Sequence, residues 1–307
     1  MRVLYVAYSH AADHDNADEN CIGWCLERLG HTVVRVRERE CGDHLPHLLK
    51  GEPFDFVLFH KWEEYDVLAA LPWPKVNWYF DLISNNDDQT LLSRMEFRRR
   101  WYSKVLPLCS LIAFTDGDWV AHDRTGKLRW LTQGCDPRVA GPGKPYEGPP
   151  RPPLLFAGMI HHGHRRAAHV AELKARYGDD LEILGDRFGP AFRKHGRELA
   201  DYMAGRIVIA PDGPCTDRYW SNRVYQALGF GAFLLHPHCR ALAEHYHFGQ
   251  ELAVYRGWDE LHNQIELYRQ HEVQRNFLAA AGLHRTLREH TYKHRVERLV
   301  EEVRKVL

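Results

Sequence analysis

The chain has no excess of charge of either sign: 41 Lys and Arg stand against 41 Asp and Glu. No global basic surplus argues for a nucleic-acid or membrane partner. No run approaches 18 apolar residues, so no helix is expected to span a bilayer. After the first apolar run the chain reads AYSHAADHDN. It lacks the GxGxxG turn that brings a dinucleotide pyrophosphate onto a helix, and it also lacks a GxxxxGK[ST] phosphate loop. The seven cysteines form no repeated CxxC pairs, which excludes a zinc framework and a disulfide scaffold. Cys21 and Cys25, upstream of His31 and Cys41, read as buried small hydrophobes. MRVLYVAYSH is too short and has no small-residue cleavage site, so it reads as a strand and not a secretory signal. The expected location is the cytoplasm. The 21 histidines are unusual and read as compositional bias rather than a metal or pH-sensing device.

What is present is alternation. Short apolar runs at Arg2–Ala7, His31–Val36, Phe54–His60, Lys75–Phe80, Leu108–Thr115 and Leu128–Leu131 suit buried strands. Helical segments at Asn20–Leu29 and Thr90–Leu106 fall between them. Residues 137–153, PRVAGPGKPYEGPPRPP, can be neither helix nor central strand and read as a linker. A second series follows: strands at Leu154–Ala157, Leu181–Leu184, Arg206–Ala210, Ala232–Leu235 and Leu252–Tyr255. Its helices are Arg165–Tyr177, Glu198–Ala204, Asn222–Phe230, Trp258–His271 and Gln274–Glu289, with a loop or short helix at Gly189–Gly196. A last helix, Tyr292–Leu307, has apolar residues 296, 299, 300, 303 and 307 on one face. The predicted organisation is an N-terminal Rossmann-like acceptor domain (1–136), the linker (137–153), a C-terminal Rossmann-like domain (154–290) and the terminal helix (291–307), free to pack back on the first domain. Two parallel α/β sheets joined in this way are expected to face each other across a cleft that takes ligands at the carboxyl ends of the strands.

The richest segment is RIVIAPDGPCTDRYWSNRVYQALGFGAFLLHPH. Its core, Asn222 to Leu235, resembles the signature of the group 1 glycosyltransferases, most closely the branch typified by the spore-maturation protein CgeB. The resemblance runs on through HFGQELAVYRGWDELHNQIELY and AAAGLHRTLREHTYKHRVERLV, and LRWLTQGCDPRV looks like the family's crossover strand. It covers roughly residues 154 to 305; the N-terminal domain matches only in general design.

The resemblance implies a GT-B fold, an enzyme that is a hexosyltransferase, a UDP- or GDP-sugar donor held by the second domain, retention of configuration, no membrane span and no required cofactor or metal. Basic side chains and helix dipoles would neutralise the leaving diphosphate in place of a cation. Donor-side residues are Gly158, Arg165, Asn222, Arg223, Gln226 and Gly231, with Asn222 expected to cap its helix. Gln226 stands where the family usually has a ribose-binding Glu; its amide oxygen still accepts but lacks the charge. In the first domain, polar residues at strand ends mark the acceptor side: Ser9, His10 and Trp62, with His60 and Asp81 as the catalytic candidates. Arg94, Arg98, Arg99, Arg100 and Lys104 form a basic helix face, either simply solvated or matched to an acidic acceptor such as DNA carrying modified bases. Asp116-Gly117-Asp118 reads as turn chemistry. The acceptor itself stays open among small molecule, glycan, protein and modified DNA; a GT-B epimerase and a non-catalytic nucleotide-binding module are the rival activities.

Overall fold

The computed structural model describes residues 1–10, 18–84, 92–158, 160, 165–185, 196–211 and 215–307. It divides into two units. The first comprises Met1–Asn85, Ser93–Gln133 and Tyr292–Leu307; the second is built on Gly134–Thr291.

The first unit is a six-stranded parallel sheet in the order β2-β1-β3-β4-β5-β6. Its strands are β1 (Arg2–Ala7), β2 (Thr32–Arg37), β3 (Phe56–Phe59), β4 (Lys75–Tyr79), β5 (Leu111–Phe114) and β6 (Leu128–Trp130). Successive side chains of a strand point to opposite faces, and both faces here are covered. Val3, Tyr5 and Ala7 of β1 pack with Cys21, Ile22, Cys25 and Leu26 of α1 (Asp18–Arg28). Leu4 and Val6 point the other way, into a core with Cys41 and Leu48 of α2 (Cys41–Lys50), Leu68 of α3 (Tyr65–Ala70) and Trp101 of α4 (Leu92–Val105). The sequence pattern had not marked α2 or α3. Pro46 lies inside α2 and interrupts the helical signal, while α3 is only six residues long. A four-residue helix, α5 (Gly117–Val120), follows β5 and is capped by Asp116, whose carboxylate accepts from the Trp119 amide. This agrees with the turn reading of that acidic triplet.

The second unit repeats the plan with five parallel strands in the order β11-β10-β9-β7-β8. These are β7 (Leu154–Ala157), β8 (Leu181–Leu184), β9 (Ile207–Ile209), β10 (Phe233–Pro237) and β11 (Ala253–Tyr255). Between and after them run α6 (Arg165–Tyr177), α7 (Gly196–Met203), α8 (Arg223–Gly229), α9 (Trp258–Gln270) and α10 (Glu272–Glu289). Most of the segment predicted at Gly189–Gly196 lies outside the described residues. The Pro- and Gly-rich stretch 137–153 has neither helix nor strand and lies along this unit: the Gly141 amide donates to the Gly229 carbonyl at 2.7 Å, and Arg197 donates to the carbonyls of Val139, Gly141 and Pro142.

The last helix, α11 (Tyr292–Arg304), belongs to the first unit. Tyr292, Val296, Leu299, Val300 and Val303 join the core that β1 and α1 share. Leu307, predicted on the same stripe, lies past the helix end and is exposed. Cys21, Cys25 and Cys41 are free and buried, as small hydrophobes are. Cys215 and Cys239 are disulfide-bonded, a pairing across 24 residues that spacing alone did not reveal.

Candidate functional site

Each sheet doubles back once. β1 pairs with both β2 and β3, and β7 pairs with both β8 and β9. Loops leaving the neighbouring strands at such a point diverge, opening a crevice at the carboxyl ends.

In the first unit this crevice is a cleft of about 490 Å³. Tyr8 and Ser9 from the end of β1, Glu38 after β2, and Lys61, Trp62 and Glu63 after β3 line it. Two sequence-predicted residues, Ser9 and Trp62, therefore come together here. Trp62 is buried and its indole N–H has no partner among the described residues. His10 is turned aside: its Nε2 donates to the Val36 carbonyl at 3.0 Å and its ring lies edge-on to Tyr5. Burial lowers its pKa. Two carboxyls missed by the sequence reading are notable. Glu19 is pushed up to about 7 by burial and then by Asp18, against the Ser9 amide that bonds it. Glu38 is raised to about 7 by burial and by Glu19, Glu63 and Glu64. Glu38 directly follows β2 and Glu19 stands in the first turn of α1, positions where an acidic residue is ordinarily solvated and gives no sequence signal.

His60 is not a surface base. Its Nδ1–H donates to the Trp78 carbonyl at 2.8 Å, so Nε2 accepts from the Tyr5 hydroxyl at 2.7 Å. Burial pushes its pKa down to about 4, and the neutral ring is a core link between β1, β3 and β4. The expected catalytic role gives way to this structural one. A polar residue just after a buried strand can lie in the core as readily as at its mouth.

Asp81 lines a second, adjoining cleft of about 220 Å³, which shares Lys61 and Glu63 with the first. Its Oδ2 takes Lys61 Nζ at 2.6 Å and Arg98 Nη2 at 3.1 Å. Burial pushes its pKa up, but Lys61 and Arg98 outweigh that and hold it below the ordinary carboxylate value. Asp81 is thus an ionised anchor, poorly suited to taking a proton at neutral pH. The basic face of α4 is partly spent on structure: Arg98 donates to the Leu82 carbonyl and Arg99 to that of Ile83, tying down the loop after β4. This weakens the case for a phosphate-tracking stripe.

The second unit brings Gly158 and Arg223 together. Gly158, at the end of β7, has φ +156°, and a Cβ there would lie 2.1 Å from Arg223 Nη2. Only glycine permits that approach. Arg223 is buried, its Nε donates to the Ala157 carbonyl at 2.9 Å, and its guanidinium lies 5.4 Å from the Phe156 ring centroid. Arg165 is the exposed first residue of α6; its neighbours 161–164 lie outside the described residues.

Asn222 occupies the cap position of α8 but makes no side-chain capping bond; its carbonyl accepts from the Gln226 amide at 3.0 Å. The expected cap is therefore absent. The side chain of Gln226, half-buried on α8, has no partner among the described residues. Gly231 terminates α8: at φ +69°, its amide donates to the Leu228 carbonyl and the Ala232 amide to that of Ala227. This paired pattern ends a helix, and Gly231 acts as its stop. The loop ahead of Arg223 is pinned by the Cys215–Cys239 disulfide and by the Ala241 amide donating to the Asp217 carbonyl. Behind α8, Tyr225 bonds His245 Nδ1 at 3.0 Å, and His245 stacks on His290.

Residues 165–301 match the model of a family described as glycosyl transferase-like. No curated protein matches the chain. Among solved structures, sucrose-phosphate synthase from Thermosynechococcus elongatus is similar at TM-score 0.72 and 11% identity, over 100% of this chain and 99% of that one. HepE of Anabaena, in complex with UDP-glucose, has TM-score 0.63 and 12% identity over 99% and 100%. AviGT4, a glycosyltransferase involved in avilamycin A biosynthesis, has TM-score 0.59 and 14% identity over 100% and 98%. Identities this low speak for the fold alone. The chain thus has the two-unit GT-B fold of these structures, and its segment 165–301, a little under half of its length, matches a glycosyl transferase-like family.

Proposed function

We propose that the protein transfers a hexose-type sugar from a UDP-sugar to an acceptor, with retention of configuration and without a required metal. Arg223 carries the reading. A guanidinium is held against Gly158 where the second sheet doubles back, with its direction set by the Ala157 carbonyl. A positioned fork of donors suits a diphosphate and costs no reorganisation when charge develops on the leaving group. α8 has only seven residues, so the side chain rather than a long helix dipole supplies most of the field. Arg165 adds a second charge at the start of α6. The half-buried Gln226 would meet the ribose through its amide. HepE has been captured with UDP and with UDP-glucose, which favours uridine over guanosine as the base to try first. The sequence from Asn222 to Leu235 favours the CgeB-like branch, and a cytoplasmic location fits this chemistry.

Neither catalytic candidate of the first unit suits inversion. His60 is neutral and enclosed, and Asp81 is held ionised by two cations, so neither is poised as the base that inversion needs. The test is direct. UDP should raise the melting temperature by several degrees at millimolar concentration, and a UDP-sugar should be slowly hydrolysed. If neither UDP nor GDP stabilises the protein, with or without added Mg2+, the reading fails.

A further inference from the structure

The smaller cleft of the first unit has a composition that the donor site does not explain. Three cations, Lys61, Arg94 and Arg98, surround two carboxylates, Asp81 and Glu63, with Phe97 and Trp101 completing the wall. Lys61 and Arg98 both engage the same Asp81 oxygen, so one carboxylate charge is matched by two cations. Arg94 is exposed and has no ion pair within 4 Å among the described residues. The cleft therefore holds net positive charge, with one guanidinium fork uncommitted. Phe97, 52% exposed, presents an apolar ring at the rim of the cleft.

We propose that this cleft, between the loop after β3 and the first turns of α4, is an acceptor subsite for a phosphorylated or carboxylated sugar. The proposal rests on the transferase reading above. The parts match such a molecule one by one. Arg94 takes the anion through its fork, with Lys61 adding a second charge. Asp81 and Glu63 accept hydrogen bonds from sugar hydroxyls. The Phe97 ring covers the apolar face of a pyranose. Size decides between a small acceptor and a polymer. At about 220 Å³ the cleft is smaller than the ~300–1,000 Å³ of a drug-sized site, enough for one charged ring. Arg98 and Arg99, which could have extended a phosphate track along α4, are bonded to the carbonyls of Leu82 and Ile83. DNA is disfavoured for the same reason.

Calorimetric titration of the full chain with glucose 6-phosphate, glucose, inorganic phosphate and UDP tests this, with Arg94→Ala, Arg94→Lys and Arg223→Ala alongside the wild type. Glucose 6-phosphate is expected to bind at least tenfold more tightly than either glucose or phosphate alone, and less tightly as salt rises. Arg94→Ala should weaken the sugar phosphate about tenfold, the loss expected for one charged hydrogen bond, and Arg94→Lys should recover part of it. Arg223→Ala should instead lose UDP, separating the two sites. Glucose 6-phosphate binding no tighter than glucose overturns the subsite while UDP binding leaves the transferase reading standing. Sugar-phosphate binding that depends on Arg223 rather than Arg94 also overturns it, because the anion then sits in the donor site. Binding at Arg94 in a protein that never binds UDP overturns the assignment as an acceptor site. A short DNA duplex that competes with glucose 6-phosphate overturns it in favour of a nucleic-acid acceptor.

Discussion

The two units share one strand plan and use its turning point differently. In the first, the crevice beside β1 and β3 is open and lined by mixed charges, with Glu38 and Lys61 on its walls. In the second, the corresponding place beside β7 holds a single buried guanidinium, pressed against a glycine that exists to admit it. The same topology thus yields an open crevice of mixed charge in one half and a buried, directed guanidinium in the other. This is the division expected when one half reads acceptors of diverse chemistry and the other always meets a diphosphate. Fold topology sets where each site lies, and side-chain volume at the strand ends sets what it can do.

The comparison can be broken most sharply at Arg223. Arg223→Ala should lower UDP affinity by about 3 kcal/mol, roughly a hundredfold, as expected for losing a partly desolvated, directed charge. Calorimetry would read it; a loss under threefold would mean the fixed cation is scaffolding. Gly158→Ala should come next. The new methyl group meets Arg223 and the backbone conformation is strained, so a stability loss of about 1–3 kcal/mol is expected together with weaker UDP binding. Combined with Arg223→Ala, the two losses should be clearly less than additive, since one displaces what the other removes.

The first unit predicts a pH effect. Glu19 has a folded pKa of about 7 against an ordinary 4.5, so folding favours its protonated form. Its contribution is fully present below about 4.5 and is lost as pH rises through 7. Glu19→Gln should therefore melt higher than wild type at pH 8 and show no gain at pH 4, measured by thermal denaturation. Equal melting temperatures at both values would remove the description of Glu19 as a carboxyl held protonated by burial.

Gly231→Ala sharpens the contrast between two glycines of the same unit. It should cost about 1 kcal/mol of stability through its positive φ yet leave UDP affinity within twofold, because Gly231 ends a helix while Gly158 makes room for the Arg223 guanidinium. The smallest expected change is at Gln226. Gln226→Glu should tighten UDP binding only a few-fold, by adding charge to the side chain proposed to meet the ribose. Weaker binding would put the residue elsewhere than at the ribose.

Much of this was legible in the chain. Arg2–Ala7, Leu154–Ala157, Arg165–Tyr177 and Leu181–Leu184 have the predicted bounds, because runs buried on both faces and an amphipathic helix leave strong local patterns. Gly158 and Arg223 were named as neighbours of one ligand although 65 residues separate them, on the strength of a strand-end glycine and a family motif. Other assignments depended on direction in space. His60 follows a buried strand just as Lys61 does, yet the fold turns one inward to Tyr5 and Trp78 and the other toward Asp81. Asn222 has the composition of a cap without the bond, and Gly231 has the look of a ligand turn but performs a helix stop.

By itself, then, the sequence determined two parallel α/β layers and the strand–helix unit that carries the family motif, because periodicity and breakers act over a few residues. Only the tertiary structure decided which charges meet. The double ion pair on Asp81, the Cys215–Cys239 pairing and the raised carboxyls of Glu19 and Glu38 arise between segments apart in the chain. Burial and charge proximity are properties of packing, and no local pattern encodes them.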